Sequence, residues 1–542
     1  MQSARRTSQL IYLRTAFALA ALVVAFAGAV QPAQAQAYTV LYNLGSNSGD
    51  PQGPTGPFVQ GRDGSLHGGG ISSADHSTDQ IFRISPAGTL AVESTFGVND
   101  FGTCGNGLTL GRDGNFYGVC QFGNGDFLGY VYRMTPAGVV TVLHHFTGVS
   151  PEGTQPNTPP IQGNDGNFYG MTSAGGASTY GTVYKMTPTG TVTTLHGFTR
   201  GADGATPTTP LVLGNDGNFY GGTVTSIFKI TPTGKLTVVH DPNGGTDGSE
   251  PVTLVLGADG SFYGTTLTAG ANNVGTFFRV TGGGAYTVLH NFSTADGLRG
   301  TADFLMQATD GNFYGAELNG FGGDQGTLYK VTTKGVVTVL HSFGGTDGSA
   351  PRSGMFQDTN GRLYGDTKQG GPFLLGVIYD WNANLAPFAR LELTSGKAGT
   401  TVGIFGQGFL TATGVTFGGV AGTFTVAGDN YMTATIPSGG KSGPVVVLIP
   451  SGNLTSSKMF KVTPVVLSFT PPSGPVGTIA TITGSGLAQA SKVTFGGVAA
   501  TSFTVNSGTQ VTATVPVGAK TGKIAITTPG GVAASAATFT VH

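Results

Sequence analysis

Charged residues are scarce in this chain of 542 residues, since Asp, Glu, Lys and Arg make up 10% of it, against about 25% in an average soluble domain. The formal net charge is −1, so no basic excess is present to neutralise phosphates, and nucleic acid is not an expected partner. Long apolar runs are also few. The uncharged run at residues 16–30 is shorter than the roughly 20 residues that a membrane-spanning helix needs, so we expect no transmembrane segment in the mature chain.

The N-terminal region has the pattern of a secretory signal peptide. Three basic residues, Arg5, Arg6 and Arg14, precede the apolar run, and small residues follow it at positions 33–37. This order of a basic, an apolar and a small-residue segment predicts that residues 1–37 are removed during export. We therefore expect an extracellular, cell-surface or periplasmic protein.

Cysteine is nearly absent, with Cys104 and Cys120 as the two copies in the chain. An exported protein meets an oxidising compartment, where two thiols can pair. The Asp113-Gly114 turn places Cys120 opposite Gly107, so a slight bend of the loop brings Cys104 within reach. We predict a disulfide between Cys104 and Cys120.

Glycine, in contrast, is abundant, with 93 copies, and much of it belongs to an internal repeat. The repeat unit has six residues: Asp or Asn, Gly, any residue, an apolar residue, an aromatic residue or His, and a final Gly. Seven copies are found, at Asp63–Gly68, Asp113–Gly118, Asp165–Gly170, Asp216–Gly221, Asp259–Gly264, Asp310–Gly315 and Asn360–Gly365. Their second-position glycines are 50, 52, 51, 43, 51 and 50 residues apart, a period too long for one hairpin and suited to a four-stranded sheet.

The repeats predict a closed propeller. Asp-Gly favours a tight turn between the first and second strands of each copy, and Pro-x-Gly joins the third and fourth equally tightly. The seventh copy has no fourth strand after Trp381, but residues 38–44 match Tyr286–Phe292 and precede the first copy. The N-terminal strand can therefore close the last sheet, which predicts an all-β, seven-bladed β-propeller over residues 38–384.

From about Leu385 the period changes to 78 or 79 residues. Phe417-Gly418-Gly419, for example, recurs as Phe495-Gly496-Gly497. Alternating Thr and Val with Gly turns in units of this size indicate small β-sandwiches. We predict two immunoglobulin-like domains, at residues 385–464 and 465–542.

These motifs resemble two known families. The segment Gly181–Gly190, together with Asp-Gly-Asn-Phe-Tyr-Gly, is similar to the GloVer-type tandem repeat of bacterial "choice-of-anchor" proteins, and the resemblance implies export. Pro472–Thr478 and Val493–Gly497 look like IPT/TIG immunoglobulin-like domains, and that resemblance implies spacer or surface-interaction modules.

Repeated histidines invite a metal interpretation, which the expected geometry disfavours. They occupy the same place in successive fourth strands: His144, His196, His240, His290 and His341. Neighbouring blades are on the order of 17 Å apart there, against a Zn–N bond of about 2.1 Å, so we expect a structural role, such as a hydrogen bond between strands, and no metal. The basic residues of six third strands (Arg83, Arg133, Lys185, Lys229, Arg279 and Lys330) are interpreted as blade residues with extended side chains. The sequence contains no nucleophile elbow, no zinc-protease motif and no phosphate loop, and no cofactor is expected.

Two functions remain open. The favoured one is an exported, non-catalytic binding or scaffold protein whose propeller presents a surface to a glycan or a protein, with the Ig-like domains as spacers or interaction modules. The alternative is a propeller enzyme of streptogramin-lyase-like or polysaccharide-active type, because the Thr-Pro-x-Gly and Asp-Gly-Asn repeats also resemble streptogramin-lyase-like propellers. Such a lyase needs a base on the long loops, where His76 is the only histidine, which favours binding.

The expected ligand site lies on one rim of the propeller. The connections before each first strand and those between second and third strands are long and varied, and both sets fall on the same rim. Glu317, which replaces a repeated Thr, and Asp366, which precedes one, are candidate ligand-binding residues. Glu250, Arg299 and Arg352 are further candidates, as charged additions on these loops.

Overall fold

The structure, a computed structural model, describes residues 37–72, 78–97, 104–123, 127–242, 244–296, 298, 304–318 and 325–542. These residues form an all-β protein with three single 3₁₀ turns, at Gly245–Asp247, Thr294–Asp296 and Phe409–Thr411. A β-propeller is followed by two Ig-like sandwiches, so the predicted fold class is confirmed.

Seven antiparallel sheets, here called blades 1 to 7, make up the propeller in the described residues. Blade 1 contains Pro51–Gln52, Val59–Gln60, Leu66–Ser72, Asp79–Ile84 and Leu90–Thr95. Blade 2 contains Thr109–Leu110, Phe116–Cys120, Tyr130–Met134 and Val140–His145. Blade 3 contains Gly153–Pro156, Ile161–Gln162, Phe168–Gly175, Thr182–Met186 and Val192–Gly197. The strands of blades 4 and 5 are Val212–Leu213, Phe219–Gly222, Ile227–Ile230 and Leu236–His240; and Ser249–Leu256, Phe262–Thr268, Thr276–Val280 and Tyr286–Asn291. Blades 6 and 7 contain Leu305–Gln307, Phe313–Glu317, Thr327–Val331 and Val337–Ser342; and Met355–Gln357, Leu363–Asp366, Val377–Asn382 and Ala37–Asn43.

Blade 7 is completed by the first described strand of the chain. Ala37–Asn43 pairs antiparallel with Val377–Asn382, with Tyr38 opposite Trp381. Leu44, directly after this strand, is fully buried. The strand thus occupies the place that the repeat comparison assigns to it, and the sheet has no missing fourth strand.

The repeated Phe-Tyr-Gly triplet explains how neighbouring blades pack. The Tyr ring of one blade lies against the Phe ring of the next, with centroid distances of 3.9 Å for Tyr117–Phe168, 4.0 Å for Tyr169–Phe219, 4.0 Å for Tyr220–Phe262 and 4.5 Å for Tyr263–Phe313. The Gly lies beneath a third-strand aromatic ring, so that a Cβ atom at Gly170 would meet the hydroxyl group of Tyr184. The triplet therefore encodes both the inter-blade contact and the space for the third-strand ring.

The Asp of each Asp-Gly turn binds groups from its own blade. In blade 3, Asp165 Oδ2 accepts hydrogen bonds from the Tyr169 hydroxyl at 2.8 Å and from Lys185 Nζ at 2.8 Å. Asp259 accepts bonds from Tyr263 and Arg279 in the same way. In blades 1, 3 and 5 the basic residue of the third strand thus pairs with the Asp of its own turn, which agrees with a blade role. Lys229 of blade 4 instead donates to the Gly282 carbonyl oxygen at 3.5 Å.

The two Ig-like domains have separate apolar cores. The strands of the first are Arg390–Leu391, Ser395–Gly396, Thr401–Phe405, Gly414–Phe417, Val420–Val426, Tyr431–Thr435, Val445–Leu448, Leu454–Thr455 and Lys461–Val462. Those of the second are Val465–Thr470, Ser473–Gly474, Ile479–Ser485, Lys492–Phe495, Val498–Ala499, Phe503–Ser507, Gln510–Thr514, Gly522–Thr528 and Gly531–Val541. Phe417 and Phe460 are buried in the first core, and Phe495 and Phe539 in the second. Direct bonds join the two domains, because Ser442 N–H donates to Gln489 Oε1 at 2.7 Å.

Candidate ligand-binding rim

The two rims of the propeller differ in what covers them. The short-turn rim carries the Asp-Gly turns, and the first Ig-like domain docks on it. Arg62, next to the first such turn, pairs with Glu392 at 2.8 Å and lies 4.4 Å from the centre of the Tyr431 ring. Phe388 N–H donates to the Thr359 carbonyl oxygen at 3.0 Å. These contacts all start from the short-turn rim, so the docked domain leaves the opposite, long-loop rim accessible.

A histidine and a carboxylate fasten the long connections that follow blades 2 to 6. The Nε2 atoms of the repeated fourth-strand histidines lie 2.7–3.2 Å from a carboxylate oxygen in the loop that follows, in the pairs His144–Glu152, His196–Asp203, His240–Asp247, His290–Asp296 and His341–Asp347. We call this arrangement the loop latch. The histidines therefore have a structural role, as expected, but their partner is a loop carboxylate and not a neighbouring strand.

A glycine after the latch carboxylate completes the arrangement. Gly248 lies directly on Thr266 and Thr276, so that a Cβ atom would meet both hydroxyl groups. The two hydroxyl groups are themselves hydrogen bonded, at 3.0 Å. The same threonine pair recurs in blade 3 as Thr172 and Thr182, at 2.9 Å.

The structure joins Cys104 and Cys120 by a disulfide, the pair expected from the sequence. Cys120 is the last residue of its second strand and pairs with Tyr130, as Thr172 pairs with Thr182 in blade 3. The disulfide therefore fastens the loop of blade 2 at the position where other blades use the threonine pair.

Left-handed backbone conformations concentrate in the long loops. Among the residues that the structure describes, eleven non-glycine residues have a positive φ. Asn384 lies elsewhere, and the other ten lie on this rim: Phe127, Gln155, Thr179, Arg200, Thr206, Glu250, Ala269, Asn273, Ala350 and Leu374. Such conformations cost roughly 1–3 kcal/mol each and cluster at functional sites. The cost is higher for β-branched Thr179 and Thr206, whose Cβ atoms crowd the backbone.

One opening on this rim lies over blade 4. It has a volume of about 640 Å³, and we call it the rim depression; its lining comprises Tyr180, Arg200, Gly201, Ala205, Thr206, Val224, Thr225, Asp241, Pro242 and Ser249. Its origin is a shortened connection, because four residues, 223–226, separate the second and third strands of blade 4. The neighbouring blades use six residues, 176–181, and seven, 269–275, at this place.

Backbone bonds hold the walls of the rim depression in place. Thr206 N–H donates to the Tyr180 carbonyl oxygen at 2.9 Å, and Val224 N–H donates to the Ala205 carbonyl oxygen at 3.1 Å. The Arg200 guanidinium lies 5.6 Å from the centre of the Tyr180 ring, within the range of a cation–π contact. The rim depression thus combines an aromatic ring, a cation, the Asp241 carboxylate and several hydroxyl groups on a fixed backbone.

The candidate residues from the sequence fall into different environments. Glu317 and Asp366 are 0% exposed, so a ligand on the loop surface would not touch either carboxylate in this structure. Glu317 faces Thr327 across the strand pair, at the threonine-pair position of blade 6. Glu250 is half-buried and follows Ser249 at the edge of the rim depression, and Arg352 is exposed. Arg299 and His76 lie outside the described residues.

Asp366 has unusual electrostatics. Its Oδ1 atom accepts a hydrogen bond from Ser353 Oγ at 2.6 Å, whereas its buried Oδ2 atom has no hydrogen-bond partner in the structure. Burial raises the pKa of Asp366 to about 7, and the Ser353 bond offsets this only in part. Sequence spacing identifies this position as a departure from the repeat but does not show that it faces the interior.

Within the described ranges, no three His, Cys, Asp or Glu side chains are grouped closely enough to hold a metal ion. No described helix is both long and apolar enough to cross a membrane.

Two family models match the chain. One, described as the Gloeobacter/Verrucomicrobia repeat, matches residues 28–226 and 225–379. The other, the IPT/TIG domain, matches residues 464–541, the second of the two Ig-like units. Both resemblances expected from the sequence are therefore confirmed.

Comparison with solved structures finds similar propellers and surface proteins. A streptogramin B lyase is 16% identical, covers 64% of this chain and 97% of its own, and has a TM-score of 0.44. A fungal alcohol oxidase of the AA5 family, in complex with copper, is 14% identical with coverages of 77% and 100% and a TM-score of 0.45. A surface glycan-binding protein from Prevotella bryantii is 17% identical, with coverages of 28% and 41% and a TM-score of 0.22. No curated protein matches the chain.

Proposed function

The chain belongs to the Gloeobacter/Verrucomicrobia repeat family, and from this premise we propose that it is an exported carbohydrate-binding protein that holds its ligand on the long-loop rim. The observation that carries the proposal is the rim depression. It is the place where a shortened blade opens the rim and where loops with positive φ, such as those at Arg200 and Thr206, border the opening.

The chemistry of the rim depression suits a sugar. Tyr180 offers a flat aromatic face against which the C–H face of a sugar ring can pack. Arg200 donates hydrogen bonds, Asp241 accepts them, and the hydroxyl groups of Thr206, Thr225 and Ser249 do both. A polyhydroxylated ligand uses donors and acceptors in this mixture, whereas a purely apolar ligand would leave them unpaired.

Size favours a carbohydrate over a protein ligand. The volume of about 640 Å³ lies within the range of roughly 300–1,000 Å³ typical of small-molecule sites. A stable protein–protein interface instead needs a complementary surface of about 800 Å² on each partner. The exposed rings of Phe127 and Phe373 on the same rim offer further stacking surfaces for an extended polysaccharide.

The other parts of the chain have roles consistent with a surface binder. The first Ig-like domain docks on the short-turn rim, so it directs the long-loop rim away from whatever the C-terminal domain contacts. The Cys104–Cys120 disulfide supports export, because disulfides persist in oxidising compartments. We propose that the N-terminal segment, expected as residues 1–37, acts as the signal peptide and is cleaved after Ala35, because Ala37 begins the strand that completes blade 7.

A glycan screen of the mature full chain tests the proposal, with each hit measured by calorimetry and its products analysed in parallel. We expect an oligosaccharide to bind without being cleaved. Cleavage or elimination of a hit would instead favour the enzyme alternative. Failure of every polysaccharide class to bind would contradict the proposal.

Variants of the rim depression locate the site. Tyr180→Ala and Arg200→Ala should each weaken binding by about tenfold, since each removes one direct contact. Lys235→Ala is the matched control, because Lys235 is an exposed residue of blade 4 on the opposite rim. Equal affinity of all three variants would place the ligand elsewhere. Glu250→Ala tests whether the edge of the rim depression contributes.

A further inference from the structure

A second cleft lies on the opposite side of the propeller, where the first Ig-like domain docks. It has a volume of about 350 Å³ and we call it the junction cleft. Its walls combine first-strand residues of blades 1 to 3 with the Ig-like domain, and the residues that matter here are Val59, Leu110, Leu391, Phe405, Arg112 and Arg390. It shares no residue with the rim depression and does not depend on the function proposed for that rim.

The positive charge of the junction cleft is incompletely paired. Glu392 also lines the cleft, but its Oε1 atom is bound by Arg62 at 2.8 Å. In the described part of the chain, neither Arg112 nor Arg390 has a carboxylate oxygen within the 4 Å of an ion pair. Their guanidinium bonds go to carbonyl oxygens, from Arg112 Nη2 to Gly163 at 2.9 Å and from Arg390 Nη2 to Gln60 at 3.5 Å.

Arg390 lies beside two aromatic rings, and the buried Asp358 carboxylate acts on its charge. Its guanidinium carbon lies 4.7 Å from the centre of the Phe405 ring and 5.2 Å from that of Phe356. Burial lowers the pKa of Arg390 to about 10, and it also lowers the pKa of Arg112, although nearby carboxylates act in the opposite direction. Both groups remain charged at neutral pH, so two partly buried cations face one cleft.

We propose that the junction cleft binds a small organic carboxylate with an apolar or aromatic body. A guanidinium group has five N–H donors in a planar fork that matches the two oxygens of a carboxylate. The apolar walls formed by Val59, Leu110, Leu391 and Phe405 suit the body of such a ligand and would be left in contact with water by an inorganic anion. Because both domains line the cleft, the bound acid would bridge the propeller and the Ig-like domain.

Calorimetry of the full chain with 3-phenylpropionate tests this assignment. 3-Phenylpropionamide is the matched neutral probe, since it has the same body without the charge, and inorganic phosphate is the probe that has charge without the body. We expect the acid to bind at least about tenfold more tightly than either. Equal binding of acid and amide, absence of acid binding at millimolar concentration, or tighter binding of phosphate would overturn the proposal.

An arginine variant provides the second test. Arg112→Gln should weaken binding of the acid by about tenfold and leave binding of the amide unchanged, whereas Arg112→Lys should weaken the acid less. Arg279→Gln is the control, because Arg279 is a partly exposed arginine that pairs with Asp259 on blade 5. Unchanged acid affinity in a folded Arg112→Gln protein would contradict the assignment. Should that variant fail to fold, the comparison of acid and amide on the unaltered chain still decides.

Discussion

At the scale of single residues, the loop latch depends on the absence of one methyl group. Gly248 and Gly166 have the same φ of 85°, but a Cβ atom at Gly248 would lie 2.8 Å from Thr276 Oγ1, whereas one at Gly166 would meet nothing within 4 Å. Gly166→Ala should therefore lower the free energy of unfolding by about 1 kcal/mol, because alanine is strained in the left-handed backbone conformation. Gly248→Ala should lower the free energy of unfolding by about 1–3 kcal/mol more, because its φ of 85° with a ψ of 178° is a conformation that almost only glycine adopts and because the latch must open. Denaturant unfolding measures both, and equal losses would show that the latch is not tightly packed.

Asp366 makes a pH-dependent contribution to stability. An acid with a raised pKa holds its proton more tightly in the folded than in the unfolded state, so the stabilisation is present below the ordinary pKa of 3.8 and is lost as pH rises through about 7. Asp366→Asn keeps the shape and should remove this loss. We expect the free energy of unfolding of the variant, compared with that of the unaltered chain, to increase by up to about 4 kcal/mol as the pH rises from 4 to 8.

Asp165→Asn is the control of opposite sign. Burial of Asp165 is outweighed by hydrogen bonds from Lys185, Asn167 and Tyr169, which together lower its pKa. Its stabilising effect is therefore present at neutral pH and is lost in acid. Unfolding curves from pH 3 to pH 8 should diverge for the two variants in opposite directions, and parallel curves would contradict the assigned environments.

The sequence predicts the place of a single residue where the repeat defines that position. It does not predict whether the side chain at such a position is buried or exposed. The repeat located Cys104 and Cys120 well enough to expect their disulfide. It also marked Glu317 and Asp366 as exceptional, but a departure from a repeat has the same appearance in a loop and in a core. The carboxylate partners of the histidines were missed for a related reason, since the latch joins a strand to a loop whose path depends on the folded blade.

At the scale of strands, closure of the propeller rests on the segment before the first repeat. Leu44 is fully buried after the strand Ala37–Asn43, so Leu44→Ala should lower the free energy of unfolding by about 2–5 kcal/mol. Leu374→Ala is the control, because Leu374 is 74% exposed in a loop of blade 7. It should change the free energy of unfolding by at most about 0.5 kcal/mol. Thermal melts compare the two, and similar melting temperatures would argue against the paired strand.

Strand order was predictable because Asp-Gly turns and aromatic triplets fix four strands in each copy. The spacing of 43 residues at the fourth copy was also visible in the sequence. That spacing alone does not say which loop is short. The structure shows that residues 223–226 are the short connection, and the opening of the rim follows from that.

At the scale of the whole molecule, the docked Ig-like domain decides which rim is accessible. The contacts join residues far apart in the chain, such as Arg62 with Glu392 and Gly64 with Asn430. No local pattern encodes a contact of this kind, so the sequence predicted two adjacent domains without their arrangement. The same docking forms the junction cleft.

Hydrogen exchange of the full chain, with and without an oligosaccharide from the glycan screen, tests whether the ligand binds in the rim depression. We expect slower exchange of backbone amides in the loops at residues 199–209 and 223–226, which border the rim depression, and unchanged exchange in the Asp-Gly turns of the opposite rim. Protection confined to the short-turn rim or to the Ig-like domains, with no change at residues 199–209, would contradict it.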